Sequence, residues 1–310
     1  MWDTLKNIGV DFRNYLGLPK SKVQLRDVGS GAKYPDGGFL VIRPESSSGF
    51  LSLVTTSLGW IKIAEDRGLT PYIDFRRTLY SNSSVANPWD IIFKQPFGYC
   101  CSDIDRATHV YVASEQVPQG GMMYPAAAYW FFHDKWGWRG KWQKLFRRYI
   151  CENEFFSCQI EKMKRNISFI ANRTIGVLAR GTDYTAMRPK GHPVMPTTEM
   201  IFARVDESLD GRNVDRIFLA TEDSGILKKF VSRYGNRLLT SQKPMAYGGG
   251  FLSENGDFGV GRVVEYVASM NILSGCETFI SGMTSGAVYT CLLRNKNKGK
   301  EMIYDLGRYC

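Results

Sequence analysis

The chain has 310 residues, a net charge of +10, and hydrophobic, charged and aromatic fractions of 44%, 23% and 13%. This composition is typical of a folded protein of about two domains, and it excludes a disordered chain, a collagen-like repeat and a disulfide-rich miniprotein. Because no run of about 18 apolar residues occurs and residues 1–17 lack a signal-peptide pattern, we expect a cytoplasmic protein without a membrane-spanning helix.

The first half of the chain is predicted to alternate between strands and helices. Phe39–Ile42 predicts a buried strand, Leu51–Asp66 a helix and Pro71–Phe75 the next strand. This order is typical of an open α/β sheet. Before it, five apolar residues recur at the spacing of an amphipathic helix, which would lie on a membrane or on the protein itself. They are Trp2, Leu5, Ile8, Phe12 and Leu16.

The second half repeats this alternation more regularly. Strands are predicted at Thr174–Ala179, Arg216–Ala220, Leu238–Leu239 and Thr278–Ser281, with helices starting near Pro196, Ile226, Val263 and Ala287. We place the domain boundary in the polar stretch near residues 165–172. The result is an N-terminal domain 1–168 and a C-terminal domain 169–310, with a ligand cleft expected between them.

Three strands of the second half are each followed by a polar cluster. Ligands of open α/β sheets bind beyond the carboxyl ends of the strands, so these clusters predict one common site. The clusters are Arg180-Gly181-Thr182-Asp183-Tyr184, Thr221-Glu222-Asp223-Ser224 and Gly282-Met283-Thr284-Ser285-Gly286.

The first and third clusters suit a diphosphate. Arg180 offers a forked pair of donors, and Gly181 lets the backbone approach a ligand closely. Thr284, Ser285 and Gly286 open a predicted helix, where unpaired N–H groups and hydroxyls bind anions.

The carboxylates of these clusters have two possible roles. Glu222 and Asp223 are able to accept hydrogen bonds from a base or a ribose. Asp223 or Ser224 is equally suited to cap the following helix, and Asp183 to hold Arg180.

These motifs, taken together and in order, resemble those of fucosyltransferases. Ile175–Tyr184, with His192-Pro193 downstream, is similar to the HxRRTD…HP region of that group. Ile217–Asp223 is similar to (Y/F)LATDD, and Phe279–Ser285 to FxGTxSS. The related families are the α1,6-fucosyltransferases, the rhizobial chitin-oligosaccharide fucosyltransferases and the protein O-fucosyltransferases.

The first half also resembles bacterial members of the group. Gly49-Phe50-Leu51-Ser52 is similar to their early glycine loop. Asn87-Pro88-Trp89-Asp90, with Phe93 and Gln95-Pro96, is similar to their NaWE…FeqP motif. The resemblance covers about residues 38–295.

The resemblance implies an α/β protein of the GT-B class, with two facing Rossmann-like domains and a cleft between them. It implies inverting transfer of fucose from GDP-fucose to a glycan, with no metal and no cofactor. Arg180 would contact the β-phosphate, Asp183 would orient it, and Glu222 and Asp223 would meet guanosine. The donor-binding residues would be Gly49, Phe50, Ser52, Arg180, Gly181, Thr221, Glu222, Asp223, Thr284, Ser285 and Gly286.

Three departures from the family pattern bear on the chemistry. Leu178 replaces the histidine before the arginine, and Gly181 replaces the second arginine. Arg188 occupies the position of an acid that is often taken as the catalytic base. The identity of the acceptor, and that of the sugar carried by GDP, are therefore not determined by the resemblance. We name His192 and Asp74 as candidate bases.

Residues 130–149 form a basic-aromatic segment, WFFHDKWGWRGKWQKLFRRY. The alternatives are single-stranded nucleic-acid binding, attachment to an anionic membrane, and a solvated helix with its tryptophans in the core. The basic residues Arg294, Lys296, Lys298 and Lys300 would add to the same positive field if they face the same way.

We predict a cytoplasmic glycosyltransferase that acts in surface-polysaccharide assembly. One version of this hypothesis attaches the protein peripherally to the inner face of the membrane. The predicted partners are a nucleotide-sugar donor and a glycan acceptor, and the same version of the hypothesis has an acceptor that is linked to a lipid. Nucleic acid is not a predicted partner. The alternatives are a transferase for another GDP-sugar, a non-catalytic carbohydrate- or nucleotide-sugar-binding protein, and a metal-dependent GT-A enzyme using Asp103-Ile104-Asp105. No oligomeric state is predicted.

Overall fold

The computed structural model describes residues 38–44, 48–81, 87–113, 131–133, 137, 139–181, 188–210, 214–241, 260–294 and 299–310. The chain divides into two compact units, unit 1 (Met1–Asn153) and unit 2 (Glu154–Cys310). The predicted N-terminal amphipathic helix and Asp183 lie outside the described residues.

Unit 1 contains a parallel three-stranded sheet in the order β2-β1-β3. The strands are β1 (Phe39–Ile42), β2 (Thr70–Ile73) and β3 (Val110–Ala113). The helices are α1 (Phe50–Asp66), α2 (Cys101–Asp105) and α3 (Arg139–Tyr149), with a 3-10 turn at Pro88–Ile91. Every residue of β1 is buried, as expected for a central parallel strand covered on both faces.

Unit 2 contains a parallel five-stranded sheet in the order β6-β5-β4-β7-β8. The strands are β4 (Thr174–Leu178), β5 (Arg216–Ala220), β6 (Leu238–Leu239), β7 (Thr278–Gly282) and β8 (Lys300–Tyr304). The helices are α4 (Glu154–Asn166), α5 (Thr198–Asp210), α6 (Ser224–Tyr234), α7 (Val260–Gly275) and α8 (Ser285–Leu293), with 3-10 turns at Ala171–Arg173 and Gly235–Arg237.

The unit 2 sheet is covered by helices on both faces. Ile175 and Val177 of β4 belong to a core cluster with Val205 of α5 and Phe230 of α6. The intervening Gly176 faces the other way, where a Cβ atom would come within 2.8 Å of Leu273 in α7. This alternation along one strand places the helices in two layers, the arrangement of a doubly wound Rossmann-like sheet.

The division between the units falls after Asn153 rather than at the predicted 168/169 position. Helix α4 belongs to unit 2 because it packs against α7. The predicted strands and the five principal predicted helices are present with small shifts at their ends. Strands β3 and β8 and helix α2 had not been predicted.

Candidate functional site

The candidate site of unit 2 lies at the point where the strand order of its sheet reverses. From β4 the chain proceeds outward to β5 and β6 on one side, and then crosses to β7 and β8 on the other. Leu178 of β4 pairs with Ala220 of β5 and Ser281 of β7, so these three strands end level. The structure therefore brings Arg180-Gly181 and the other two predicted clusters to one edge, beside the crevice where doubly wound sheets bind ligands.

Arg180 and Glu222 face each other at this edge. Their closest charged atoms, Nε of Arg180 and Oε1 of Glu222, are 3.7 Å apart, and both side chains are largely buried, with 24% and 11% exposed. The same Oε1 atom accepts a hydrogen bond from the N–H of Gly181 at 3.1 Å. Glu222 therefore joins the end of β4 to the end of β5 with its carboxylate.

Asp223 caps helix α6. Its Oδ1 atom accepts hydrogen bonds from Gly225 N at 2.7 Å and Ile226 N at 3.0 Å, and its own N–H donates to the hydroxyl of Thr221. The alternative role considered from the sequence, an N-cap, is thus present. The other face of the carboxylate lies against Gly181, where a Cβ atom would come within 2.2 Å of Oδ2.

Helix α8 begins at the carboxyl end of β7. Thr284 is its N-cap and accepts a hydrogen bond from Ala287 N at 3.1 Å. Ser285, the first helical residue, is half-buried, so the positive end of the helix dipole and the Ser285 hydroxyl lie at the site edge. Gly286 is needed for packing, because a Cβ atom there would lie 2.7 Å from the hydroxyl of Tyr266.

His192 lies in an exposed segment that pairs with residues near 308. Its carbonyl accepts from Tyr309 N at 2.9 Å, and Pro193 forms a bridge with Arg308. The following Pro196 crosses the end of β7, within 2.9 Å of where a Cβ atom of Gly282 would lie. The pairing of residues 307–309 with this segment was not predicted from the sequence. It is made by backbone atoms, and such pairing does not require any particular residue type.

The three predicted donor residues of unit 1 lie at the start of α1. Gly49 is the exposed N-cap residue, and its carbonyl accepts from Ser52 N at 2.8 Å. Ser52 is half-buried on the first turn. Phe50 lies instead in the core, 2% exposed, with its ring edge-on to Phe75 and Tyr80. Its side chain is therefore part of the core of unit 1.

Asp74, a candidate base, is held as a carboxylate at the end of β2. It is 1% exposed and pairs with Arg43 Nε at 2.7 Å and with Arg76 Nε at 2.8 Å. Burial opposes its ionisation, but the hydrogen bonds from Arg76 and Arg43 outweigh it, and the pKa of Asp74 lies below its usual value. A carboxylate clamped in this way is a weak base.

The Asp103-Ile104-Asp105 motif forms most of helix α2. Asp103 accepts from Cys100 N at 2.8 Å and pairs with Arg106 at 3.2 Å. Hydrogen bonds from Cys100 lower the pKa of the Asp103 carboxyl. Its local role is thus that of a helix-capping carboxylate, and the described residues contain no group of three potential metal ligands.

The described part of the basic-aromatic segment packs as an amphipathic helix. In α3, Trp142, Phe146 and Tyr149 are buried in unit 1. The opposite face exposes a basic stripe, consisting of Lys141, Lys144, Arg147 and Arg148. These aromatic rings are therefore core residues. None of the helices in the described ranges has the length and apolar character needed to cross a membrane.

Arg294 does not belong to the predicted basic surface. It is 1% exposed, and its Nη1 donates to the carbonyls of Leu273, Ser274 and Cys276 at the end of α7. Lys300 is exposed but opens strand β8. Lys296 and Lys298 lie outside the described residues. The prediction of a basic field at 294–300 is thus wrong for Arg294, because its buried guanidinium caps the end of α7 and pairs with Glu301 at 3.5 Å.

Comparison with solved structures identifies the fold. No protein-family model and no curated protein matches the sequence. The fucosyltransferase NodZ from Bradyrhizobium matches with a TM-score of 0.54 and 13% identity, over 83% of this chain and 93% of that chain. A structure of POFUT1 in complex with GDP matches with a TM-score of 0.52 and 11% identity, over 88% and 99%. The chain therefore shares its fold with these two solved proteins.

Proposed function

We propose that the protein is an inverting glycosyltransferase that transfers fucose from GDP-fucose to a glycan without a metal ion. The observation that carries this proposal is that Arg180, paired with Glu222, follows β4 and the start of α8 follows the neighbouring strand β7, at the point where the strand order of the unit 2 sheet reverses. One solved relative in fold, a NodZ α-1,6-fucosyltransferase, was soaked with GDP-fucose. The GT-B class is supported by two units that each contain a parallel sheet.

Arg180 and the start of α8 would stabilise the leaving group. As the bond from the sugar to GDP breaks, negative charge grows on the β-phosphate while the sugar becomes oxocarbenium-like. A guanidinium and a helix N-terminus, both fixed in advance, favour that charge without rearranging during the reaction. The cationic role that a metal would otherwise have thus falls to Arg180. Donor binding is assigned to unit 2 and acceptor binding to unit 1.

The acceptor hydroxyl would attack from the face opposite GDP, which inverts the configuration at the sugar. Of the candidate bases, His192 is exposed and therefore accessible to an acceptor. Asp74 is less suited because two arginines hold its pKa down. Asp183, predicted to orient Arg180, stays a prediction.

The proposed setting is surface-polysaccharide assembly at the cytoplasmic face of the inner membrane. The supporting feature is the basic stripe of α3, because exposed cations on one helix are attracted to anionic lipid headgroups. One of the four, Arg148, also pairs with Glu65 at 2.8 Å. The aromatic residues of α3 are buried, so such attachment would be electrostatic and would weaken as salt is added.

A second candidate is a protein that binds the nucleotide-sugar without turnover. The observation that favours it is Arg188, which occupies the position of the family acid, is exposed and has a φ of +43°. A guanidinium cannot act as a base at neutral pH.

Calorimetric titration separates these candidates. The protein is titrated with GDP, GDP-fucose, GDP-mannose and UDP-glucose in the presence of EDTA, and GDP release is then measured with glycan acceptors. Binding of GDP and GDP-fucose that is lost in Arg180→Ala and kept in Arg204→Ala supports the donor site. Arg204 is a fair control because it forms an exposed ion pair with Glu207. Binding without GDP release would favour the second candidate, and no nucleotide binding would refute both.

A further inference from the structure

The contacts of Glu222 differ from those of a residue that reads a nucleotide base. Its side chain is 11% exposed, and Oε1 is engaged by Gly181 N at 3.1 Å and Arg180 Nε at 3.7 Å. Both contacts lie at the end of β4, one on the arginine that would hold the diphosphate and one on the glycine that follows it. The carboxylate thus faces the phosphate-binding residue of the proposed site.

Glu222 is itself fixed from both sides along the chain. Thr221, which precedes it, is buried and accepts from Asp223 N, while Asp223, which follows it, is anchored by its two cap bonds to α6. A side chain that starts from so rigid a backbone can hold its partner in one position. At 3.7 Å the contact with Arg180 Nε is an ion pair rather than a hydrogen bond, so charge attraction favours a single direction for the guanidinium.

Two departures from the fucosyltransferase pattern meet in this contact. Gly181 stands where the pattern has a second arginine, and Glu222 where it has an aspartate. A Cβ atom at position 181 would collide with Asp223, so this edge does not admit a side chain there. The longer Glu222 reaches across to the backbone N–H of Gly181 and to the arginine beside it.

We propose that Glu222 is a positioning residue that aims Arg180 at the β-phosphate of the donor, rather than a residue that recognises guanine. This inference rests on the proposed function, since it assigns Arg180 to the diphosphate. It predicts that Glu222 controls the preference for a diphosphate over a monophosphate and not the preference between bases.

The test is calorimetry of the full chain with GDP, GMP and ADP, comparing wild type, Glu222→Gln and Arg180→Ala. Glutamine keeps an oxygen acceptor for Gly181 N but lacks the charge that holds Arg180, so a purely structural role would be preserved. We expect Glu222→Gln to weaken GDP binding about ten-fold and GMP binding less than about two-fold. The preference for GDP over ADP should not change. Glu207→Gln, at an exposed ion pair, is the matched control.

The double variant Arg180→Ala/Glu222→Gln completes the test. If Glu222 acts through Arg180, adding its substitution to Arg180→Ala should weaken GDP binding no further. An unchanged ratio of GDP to GMP affinity in Glu222→Gln would overturn the inference. A loss of the preference for GDP over ADP would also overturn it, by making Glu222 a base-reading residue.

A ligand-free measurement distinguishes this inference from the proposed function. Wild-type protein that binds no guanosine nucleotide would refute the proposed function. The free energies of unfolding in urea of the two single variants and the double variant would then still decide whether Glu222 holds Arg180. Non-additive changes support the contact, and additive changes refute it.

Discussion

Replacing Gly181 by alanine should damage the site by displacing Asp223. The new Cβ atom would lie 2.2 Å from Oδ2 of Asp223 and 2.8 Å from its Cβ and Cγ atoms. Such distances are far below van der Waals contact, so either the end of β4 or the Asp223 side chain must move. Asp223 cannot move without loosening its cap on α6.

The cost can be worked from these contacts. Loss of an N-cap costs about 1 kcal/mol, and forcing an extra methyl group into a packed site costs about 1–3 kcal/mol. We therefore expect Gly181→Ala to lower the free energy of unfolding by about 2–4 kcal/mol. For a domain of this size that is a fall of roughly 5–15 °C in the unfolding midpoint.

Circular dichroism during thermal unfolding provides the assay. Gly261→Ala is the control, since nothing lies within 4 Å of a Cβ atom at that exposed helical position, and it should be neutral or slightly stabilising. Asp223→Ser supplies a shorter capping residue without the Oδ2 atom. Combined with Gly181→Ala it should recover part of the lost stability, since the 2.8 Å approach to the Cβ atom of residue 223 stays. A Gly181→Ala protein as stable as wild type would refute the reasoning.

Further predictions concern residues whose contacts are described above. Arg294→Met leaves the carbonyls at the end of α7 without their buried donor. The free energy of unfolding in urea should therefore fall by about 2–4 kcal/mol. An unchanged value would contradict the capping role. The pKa of Asp74 is lower in the folded than in the unfolded protein. Its contribution to stability should therefore be present above about pH 4 and be lost as the pH falls further. Asp74→Asn should make the free energy of unfolding, measured by fluorescence, depend less on pH in the acid range. Thr284→Ala should cost about 1 kcal/mol by thermal unfolding and Thr284→Ser much less, whereas equal losses would argue against the N-cap. A thiol reagent should modify the five exposed cysteines of the folded protein but reach Cys276 and Cys291 only on unfolding, since burial also raises the pKa of the Cys276 thiol.

The strand ends that build the site could be predicted from the sequence because buried parallel strands form continuous apolar runs. Ile217–Ala220 is such a run and is followed at once by the polar Thr221-Glu222-Asp223, and the apolar pair Phe279-Ile280 is followed within four residues by Thr284. The roles of individual residues were harder to predict. Phe50 and Arg294 belong to residue types found at ligand sites, yet both are buried in the fold.

The partners of Glu222 could not be predicted because they depend on the register between strands. The pairing of Leu178 with Ala220 sets the end of β4 level with the end of β5, and no local pattern in either segment encodes that alignment. Strand β8 was overlooked for a related reason, since a strand at the sheet edge needs fewer apolar residues and its sequence KEMIY is half polar.

The pairing of residues 307–309 with the segment that carries His192 has a practical consequence for handling the protein. An affinity tag, fluorophore or surface linker attached after residue 310 would be tethered three residues from Gly307, whose carbonyl accepts the N–H of Val194. A pulling force or a bulky group at that position would disturb these hydrogen bonds and so displace the segment that carries the candidate base His192. Labelling at the exposed Cys158 of α4, with the other exposed thiols replaced, avoids that risk.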